Sequence, residues 1–380
     1  MKHITVAIDS FKGSLTSYQV ACAVESGFKR VFPQCVVQKV SIADGGEGTV
    51  DALVQTMGGE YVSVMVSDPL MRPVEARYGV VDGGATAVIE MSAASGLPLL
   101  LESERNPMKT STYGTGELIL HALKHGCRNI LIGIGGSATN DGGVGMLRAL
   151  GYKFYNRAGN MLAGVGGDLS EIDHIDDSDV AVEVKWAQYT VACDVTNPLY
   201  GPNGAAYVFA PQKGASPKMV EQLDKGLVNY AKVVKGYNGA DIANLPGAGA
   251  AGGLGAGLCA FLNAKLERGI DMVLGAMRFD QLIEGSELVI TGEGRLDKQT
   301  VMGKAPSGVL KVATLKGIPT IAIGGAILEC SELLNSGFAA IFPVVSGPIP
   351  LEKAMEYNVA TQNVTRTAEQ IAKLLKLGKN

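Results

Sequence analysis

Residues 4–49 read ITVAIDSFKGSLTSYQVACAVESGFKRVFPQCVVQKVSIADGGEGT. The apolar run at residues 4–9 ends in a carboxylate and is typical of a buried strand. Residues 16–31 repeat apolar side chains at helical spacing, and Pro33 ends that helix. Residues 36–42 form a second apolar run, and the glycine-rich segment after it opens a second helix. This order of strand, helix, strand and helix predicts a parallel sheet covered by helices.

The rest of the chain interrupts that pattern and then resumes it. Residues 61–91 alternate apolar and polar side chains between turn signals, which indicates antiparallel strands of a different domain. In the last third we expect strands at 287–291, 319–323 and 338–344, and helices at 306–315 and 352–377. The sequence therefore predicts an α/β protein made of two α/β domains.

The predicted domain arrangement joins the two ends of the chain. Residues 1–60 and 285–380 form one discontinuous, Rossmann-like domain around a parallel sheet. Residues 61–284 form an inserted mixed α/β domain, and we expect the active site in the cleft between the two domains. A length of 380 residues agrees with two domains, since a domain takes roughly 150 residues.

The composition excludes several classes of protein. With 47% apolar and 18% charged residues, the chain is too apolar and too weakly charged to be disordered. Its 50 glycines cluster and show no three-residue period, which excludes collagen. The net charge of -4 gives no basic surplus for a phosphate backbone, so we expect no nucleic-acid partner.

Cysteine and histidine spacings indicate neither a disulfide framework nor a metal centre. The six cysteines are scattered without a CxxC pair, so we expect reduced thiols. The four histidines lack HExxH or a similar ligand spacing. Residues 242–264 carry no charge, but Pro246 and the many glycines favour a loop and a buried helix over a membrane span. No secretory signal is visible, and we expect a soluble, cytoplasmic protein without a membrane partner.

Polar segments, four of them containing glycine, follow five of the predicted strands. Each combines a carboxylate with a small hydroxyl or amide, at residues 9–14, 43–49, 133–143, 193–198 and 291–297, and only residues 193–198 lack glycine. In open parallel sheets, ligands bind beyond the carboxyl ends of the strands. These segments are therefore the candidate functional site.

The residue types in these segments suit phosphoryl transfer. Glycines let backbone N–H groups approach a phosphate, and Mg²⁺ accounts for carboxylates beside such an anion. Three cations, Lys12, Lys213 and Arg295, are candidates to neutralise charge that develops during transfer. Each segment taken alone also has a structural explanation, since Asp44 is a helix cap candidate and Lys213 is by default a solvated cation. Five such segments together favour a site.

The common nucleotide signatures are absent or weak. No GxxxxGK[ST] phosphate loop occurs, and Gly303-Lys304-Ala305 lacks its hydroxyl. Residues 247–252 match GxGxxG, but they follow Pro246 where a dinucleotide fingerprint follows a strand. That match supports a rival interpretation, a nicotinamide-dependent oxidoreductase acting on a hydroxy acid. A second rival is a non-catalytic sensor of sugar acids that uses the same segments.

Eight motifs in chain order resemble the bacterial type 1 glycerate kinases. They are DSFKGS (9–14), ADGGEGT (43–49), TYGTGE (112–117), IGIGGSATNDGG (132–143), VACDVTNPL (191–199), PQKG (211–214), PGAGAAGG (246–253) and VITGEGR (289–295). The resemblance implies a Rossmann-like domain from both chain ends and a second α/β domain from the middle. It also implies phosphorylation of D-glycerate by ATP with Mg²⁺, typically to 2-phosphoglycerate, in the breakdown of glyoxylate, glucarate or galactarate. Formation of 3-phosphoglycerate by the same kinase stays open, as does the oligomeric state, a homodimer included.

We assign roles within these motifs as hypotheses. The catalytic candidates are Asp194 as the base, with Lys12 and Arg295 on the substrate carboxylate or the transferred phosphoryl group. The substrate-binding candidates are Asp9, Ser10, Asp44, Gly45, Gly46, Asn197 and Lys213. The candidates for the nucleotide are Gly135, Gly136, Ser137, Thr139, Asn140, Gly247, Gly249, Gly292 and Glu293. The candidates for Mg²⁺ are Glu47, Asp141 and Asp297.

Overall fold

The computed structural model describes residues 1–301, 303–328 and 331–378. The strands of this part of the chain are β1 (His3–Ile8), β2 (Val36–Ser41), β3 (Glu60–Ser67), β4 (Pro73–Val81), β5 (Thr86–Glu90), β6 (Asn129–Gly133), β7 (Lys153–Asn156), β8 (Ile172–Asp176), β9 (Gln188–Ala192), β10 (Lys265–Glu267), β11 (Val289–Leu296), β12 (Thr320–Ile327) and β13 (Ala340–Pro343).

The helices connect these strands and cover their sheets. They are α1 (Ser17–Lys29), α2 (Thr49–Met57), α3 (Ser92–Ser95), α4 (Tyr113–Lys124), α5 (Val144–Ala149), α6 (Val182–Trp186), α7 (Ala205–Phe209), α8 (Pro217–Asn238), α9 (Ala250–Leu262), α10 (Gly269–Ala276), α11 (Phe279–Leu282), α12 (Lys298–Val301), α13 (Ala305–Leu315), α14 (Ser331–Leu334), α15 (Leu351–Met355) and α16 (Tyr357–Leu377). Within the described ranges, no helix combines the length and apolar character needed to cross a bilayer.

The chain separates into two compact units. The first contains residues 1–44, 51–57 and 273–380, and the second contains residues 45–50 and 58–272. The domain boundaries expected from the sequence, residues 1–60 with 285–380 and residues 61–284, stay a prediction. The five cysteines in the described ranges form no disulfide, and Cys330 lies outside those ranges.

The first unit is built on a five-stranded parallel sheet in the order β13-β12-β11-β1-β2. Strand β1 comes from the start of the chain and pairs with the edge strand β2 on one side and with the central strand β11 on the other. Apolar side chains of β1 and β11 form its core together with those of α1 and α16. The predicted α/β class with a parallel sheet from both chain ends is therefore confirmed.

Helix α1 shows how the sequence sets this packing. Thr16 caps its N-terminus through a capping box with Gln19, which satisfies backbone donors that the first turn leaves free. Helix α16 lies directly against α1 at Gly27, where a Cβ atom would come within 2.3 Å of the Thr365 carbonyl oxygen. Glycine at this position therefore allows the two helix backbones to approach each other.

The second unit contains a six-stranded mixed sheet in the order β10-β9-β6-β5-β4-β3. Strands β10, β9, β6 and β5 run parallel, whereas β4 and β3 add antiparallel strands at one edge. A separate antiparallel pair joins β7 to β8. The predicted antiparallel stretch after residue 60 is thus the edge of a mixed sheet.

Two strands of the first unit extend beyond their predicted ends. Strand β11 continues to Leu296 and β12 to Ile327, where the sequence predicts loops after residues 291 and 323. Their parallel pairing continues as far as Leu296 and Ile327. Gly292 permits this close pairing, because a Cβ atom there would lie 1.9 Å from the Ile323 carbonyl oxygen. Glu293 and Arg295 consequently project from a strand.

Candidate active site

The carboxyl edge of the parallel sheet carries a cavity of about 500 Å³ within the first unit. The segments that follow β1 and β2 meet the ends of β11 and β12 there, as expected for an open parallel sheet. The lining residues are Asp9, Ser10, Phe11, Lys12, Ser14, Asp44, Glu293, Gly294, Arg295, Lys304, Gly325, Ala326, Val344, Val345, Leu351, Ala354, Met355, Ala360 and Asn363. The structure therefore brings together six of the predicted site residues: Asp9, Ser10, Lys12, Asp44, Glu293 and Arg295.

Asp9 is the most perturbed carboxyl group of this cavity. Its side chain is buried, and Oδ1 accepts a hydrogen bond of 2.6 Å from the Ser10 backbone N–H. Burial raises the pKa of Asp9 to about 7, helped by the nearby charges of Asp44 and Glu293 and opposed by that hydrogen bond and by Lys12. Because two carboxylates repel the third, this end of the cavity favours a cation.

Glu293 faces the same cavity and has two partners. Its Oε1 accepts a hydrogen bond of 2.6 Å from the Thr300 hydroxyl, and its Oε2 lies 3.8 Å from Lys304 Nζ. Burial raises the pKa of Glu293, against the lowering effects of Thr300 and Lys304. The two contacts hold the carboxylate in place at the end of β11.

Two cations at this end are mostly exposed. Lys12 Nζ lies 3.8 Å from Asp44 Oδ2, with 68% of its side chain accessible. Arg295 Nε donates to Asp297 Oδ2 over 3.0 Å, with 61% of its side chain accessible. Since neither is enclosed, both side chains can turn toward an anionic ligand in the cavity.

Asp297, a candidate metal ligand, is engaged by its own segment. Besides the contact with Arg295, its Oδ1 accepts from the Gln299 backbone N–H over 2.8 Å. Its own backbone N–H donates to the Thr300 hydroxyl. These contacts favour a role in shaping the turn into α12.

Lys213 lies inside the second unit and is buried, with 1% of the residue accessible. Its Nζ donates to the Ser137 hydroxyl and to the Thr139 carbonyl oxygen, each over 2.7 Å. Burial lowers the pKa of Lys213 to about 7, and the charge of Asp141 opposes this effect. The expectation that Lys213 is an exposed, solvated cation is therefore wrong.

Asp141 is buried beside Lys213 and is fully engaged by neighbouring donors. Its Oδ2 accepts from the backbone N–H and the hydroxyl of Thr112 and from Gly145 N–H, and its Oδ1 accepts from Gly143 N–H. Burial raises the pKa of Asp141, whereas these hydrogen bonds lower it. Four donors on one carboxylate favour a structural role over a place among the Mg²⁺ ligands.

The neighbouring side chains of Thr139 and Asn140 are also buried. Within the described part of the chain, the Thr139 hydroxyl and both polar atoms of the Asn140 amide make no hydrogen bond, and neither does the Tyr230 hydroxyl. Of the predicted phosphate-binding residues, Ser137 contacts Lys213 through its hydroxyl and Thr139 through its backbone carbonyl oxygen, in the interior of this unit.

Asp194 and Asn197 follow β9, where both have backbone partners. Asp194 is exposed, and its Oδ1 accepts from Gly269 N–H over 2.9 Å. The side-chain amide of Asn197 donates to the Asn203 backbone carbonyl oxygen. The backbone carbonyl oxygen of Asn197 accepts from the Gly249 N–H. Asp194 thus lies exposed at the carboxyl edge of the mixed sheet.

Two of the other predicted glycines, Gly45 and Gly249, lie where there is no space for a side chain. A Cβ atom on Gly45 would lie 2.5 Å from Ala192 Cβ, and one on Gly249 would lie 2.3 Å from the Pro198 carbonyl oxygen. Glu47 is exposed. The remaining members, Gly46, Gly135, Gly136 and Gly247, lie in the same loops at the carboxyl edge of the mixed sheet. Across the described ranges, no three His, Cys, Asp or Glu side chains are grouped to hold a metal by themselves.

Sequence analysis missed two polar residues of the first unit's cavity. Lys304 belongs to Gly303-Lys304-Ala305, which lacks the hydroxyl of a phosphate loop, yet its Nζ faces Glu293. Asn363 lies on the buried face of α16 between Ala360 and Val364. A polar side chain on the apolar face of an amphipathic helix is the sequence signal that could have found it.

An α/β chain with carboxylates and cations around a cavity at the carboxyl edge of its parallel sheet has the features of a phosphotransferase. The sequence model described as the glycerate kinase family matches residues 4–376. The chain therefore belongs to the glycerate kinase family, as its motifs predicted.

Similarity to individual relatives extends over the whole chain. A glycerate kinase of Bacillus cereus (strain ATCC 10987 / NRS 248) is 48% identical, over 98% of this chain and 98% of the relative. A glycerate 2-kinase of Escherichia coli (strain K12) is 45% identical, over 99% of this chain and 98% of the relative. A solved structure assigned as glycerate kinase 2 of Salmonella typhimurium LT2 has a TM-score of 0.92 and 45% identity, and it covers 100% of this chain and 99% of that one.

The basis of the oxidoreductase interpretation is not supported. Residues 239–249, all of them described, contain no strand that could precede Gly247. The GxGxxG match instead leads into α9, where Ala251 and Gly252 have left-handed backbone angles.

Proposed function

We propose that this protein transfers the γ-phosphoryl group of ATP to D-glycerate, with Mg²⁺, to give 2-phosphoglycerate and ADP. The observation that carries the proposal is full-length similarity to relatives named glycerate kinase, among them the Escherichia coli glycerate 2-kinase. The charged cavity of the first unit supports it independently. In the cell, we propose that the enzyme acts in the cytoplasm, in the breakdown of organic acids.

Asp9 and Asp44 fit a Mg²⁺ ion that arrives with the nucleotide. Mg²⁺ is usually held by one or two carboxylates together with substrate phosphates. Burial raises the pKa of Asp9, and the neighbouring charge of Asp44 adds to that effect, which supports a cation at this pair. When bound, Mg²⁺ would neutralise charge on the phosphates. Asp141 and Asp297 are not among the proposed ligands, because their oxygens already accept hydrogen bonds from other groups of the protein.

Lys12, Arg295 and Lys304 are the proposed partners of the anionic groups. Phosphoryl transfer spreads negative charge over the equatorial oxygens, and catalysis comes mainly from positioning and charge stabilisation. Arg295 offers the two parallel donors that suit a carboxylate or a phosphate. The accessibility of Lys12 and Arg295 supports this role.

Asp194 is the proposed base that accepts the proton of the glycerate hydroxyl, with Asn197 beside it in the chain. Its carboxylate is exposed and accepts a hydrogen bond from the Gly269 backbone N–H, which supports the assignment. We expect Asp194→Asn to lower kcat by about 100-fold or more, because general-base catalysis contributes about that much. Asp173→Asn on β8 is the matched control, since Asp173 is also exposed and belongs to the same unit. A near-normal kcat for Asp194→Asn would remove Asp194 from the mechanism.

The proposed reaction is tested by measuring ADP release from ATP and Mg²⁺ with D-glycerate. The product is identified by ³¹P and ¹H NMR. Formation of 2-phosphoglycerate supports the proposal, and 3-phosphoglycerate keeps the kinase but corrects the position of the phosphoryl group. Absence of turnover by folded protein, with a panel of related acids, would favour the sugar-acid sensor.

A further inference from the structure

Two histidines lie side by side at the C-terminal end of helix α4, in the second unit. The ring centroids of His121 and His125 are 4.1 Å apart, and the ring planes differ by 32°. Residues four positions apart lie on the same face of a helix, so the backbone brings the rings together. His121 is half-buried and His125 is exposed. This histidine pair is therefore open to solvent.

Hydrogen bonds hold one nitrogen of each ring. His125 Nδ1 lies 3.1 Å from the His121 backbone carbonyl oxygen, and His121 Nδ1 lies 3.1 Å from the hydroxyl oxygen of the buried Tyr78. A carbonyl oxygen can only accept, so His125 Nδ1 carries a proton, and in the neutral ring Nε2 keeps its lone pair. The Tyr78 oxygen can accept from His121 Nδ1 in the same way. Among the described residues, neither Nε2 atom has a hydrogen-bond partner.

The surroundings of the histidine pair favour neutral rings beside a bound cation. Burial, together with the nearby His125 and Lys124, lowers the pKa of His121, which keeps its lone pair available near neutral pH. His125 is the C-terminal cap of α4, and the negative end of a helix dipole favours positive charge. Lys124 opposes a cation, but its side chain is exposed and can turn into solvent.

We propose that the histidine pair binds one divalent transition-metal ion through its two Nε2 atoms, with water in the remaining coordination positions. Imidazole suits Zn²⁺, Ni²⁺ and Cu²⁺, whereas Mg²⁺ prefers oxygen ligands. Two nitrogens bound to one ion at about 2.0–2.1 Å lie roughly 3.3 Å from each other, so rings 4.1 Å apart suit a shared ion. Hydrogen bonds on Nδ1 are also what orients metal-bound histidines.

Structural roles of the two histidines account for only one nitrogen of each ring. His121 satisfies the buried Tyr78 hydroxyl, and His125 contacts a carbonyl oxygen of the last turn, both through Nδ1. Neither contact uses Nε2, the atom that the proposed ion binds. A site with two protein ligands also agrees with the finding that no three candidate ligands are grouped in the described ranges.

The histidine pair lies toward the opposite edge of the mixed sheet from the proposed base. His125 shortly precedes the amino end of β6 at Asn129. Asp194 follows the carboxyl end of β9, which runs parallel to β6. The inference therefore goes beyond the proposed function, and we expect wild type and His125→Gln to have the same kcat with Mg²⁺.

The first test follows the histidine ring signals by ¹H NMR while Zn²⁺ is added to the full-length protein with reduced thiols. Single His→Gln variants assign the signals. We expect those of His121 and His125 to change together, at a Zn²⁺ concentration about tenfold or more below any change at His174, which is exposed on β8. Mg²⁺ at the same concentrations should leave both signals unchanged. Different Zn²⁺ midpoints for His121 and His125 would overturn the proposal.

The second test removes one ligand at the exposed position. His125→Gln turns a two-point contact into one, so we expect the Zn²⁺ midpoint of the His121 signal to rise by about tenfold or more. His174→Gln, at an exposed histidine of the same unit, is the matched control and should leave that midpoint unchanged. Circular dichroism checks that each variant is folded. An unchanged His121 midpoint in His125→Gln would overturn the proposal.

Tyr78 is the proposed positioning residue of this site. Tyr78→Phe keeps the buried ring and removes the hydroxyl that orients His121, so we expect the Zn²⁺ midpoint of the pair to rise by about tenfold. Tyr189→Phe is the matched control, because Tyr189 is a buried tyrosine of the same unit whose hydroxyl donates to the Val184 carbonyl oxygen. Equal midpoints in wild type and Tyr78→Phe would overturn this role of Tyr78.

The metal site and the proposed function fail in different ways. If the wild type phosphorylates glycerate but the His121 and His125 signals do not share a Zn²⁺ midpoint, the metal site is wrong and the proposed function stands. If the two signals respond as expected but glycerate is not phosphorylated, the metal site stands, because the Zn²⁺ titration needs no turnover.

Discussion

Lys213 is a buried amine with only neutral hydrogen-bond partners. Its Nζ contacts one hydroxyl and one carbonyl oxygen, and burial lowers its pKa from the ordinary 10.5 to about 7. The folded protein therefore releases a proton that the unfolded chain retains up to much higher pH. Between about pH 7 and 10.5, the unfolded state binds more protons, so the free energy of unfolding rises with pH.

Lys213→Met should abolish this part of the pH dependence. We expect the free energy of unfolding of the wild type, relative to that of the variant, to rise by up to about 1.4 kcal/mol per pH unit above pH 7. Urea unfolding at pH 7, 8 and 9 measures this difference. Lys218→Met is the control, because Lys218 is exposed on α8. Parallel pH profiles for wild type and Lys213→Met would show that Lys213 is charged in the folded state across this range.

Asp141 allows a separate test of structural against metal-binding roles. Asp141→Asn replaces an acceptor by an amide that cannot accept all four hydrogen bonds, so we expect a loss of about 2–4 kcal/mol in the free energy of unfolding. Thermal unfolding of both proteins, with and without Mg²⁺, measures the loss. If Mg²⁺ stabilises the wild type but not the variant, Asp141 is a metal ligand after all.

At the scale of elements, the pairing of β11 with β12 depends on Gly292. The approach of 1.9 Å to the Ile323 carbonyl oxygen leaves no space for a methyl group, and the contact is with backbone, which cannot turn aside. We expect Gly292→Ala to cost about 3 kcal/mol or more in the free energy of unfolding, measured by denaturant titration.

Gly236→Ala is the matched control in the exposed part of α8. No atom lies within 4 Å of the position that its Cβ would take, and alanine is a better helix former than glycine. This variant should gain up to about 1 kcal/mol. If Gly236→Ala lowered the free energy of unfolding as much as Gly292→Ala does, alanine would destabilise helix α8 for a reason other than lack of space.

The sequence predicted the existence of the strands more accurately than the positions of their ends. Apolar runs identify β1 and β2 because their side chains are buried, and both lie where expected. The predicted ends of β11 and β12 were wrong. Glycines normally signal loops, but here they permit the two strands to pair closely. Lys213 could not be recognised as buried, since nothing local distinguishes it from an exposed lysine. Its hydrogen-bond partners, Thr139 and Ser137, precede it in the sequence by 74 and 76 positions.

At the scale of the whole molecule, the two units differ in how the chain supplies them. The second unit is nearly continuous, whereas the sheet of the first unit needs strands from both ends of the chain. We expect the fragment of residues 58–272 to unfold cooperatively, and the fragment of residues 1–57 to remain unfolded because β1 lacks its partner β11. Circular dichroism and urea titration of the separate fragments measure this. A folded fragment 1–57 would show that β1 and β2 are stable without the C-terminal strands.

The position of β1 between β2 and β11 also has a consequence for synthesis on the ribosome. Strand β1 emerges first, but its neighbour β11 follows only after residue 289. At about 5–20 residues per second, the nascent chain presents an open strand edge for roughly tens of seconds. Such an edge invites pairing with other chains. We therefore expect the nascent protein to bind a chaperone that covers its first strands until translation nears its end.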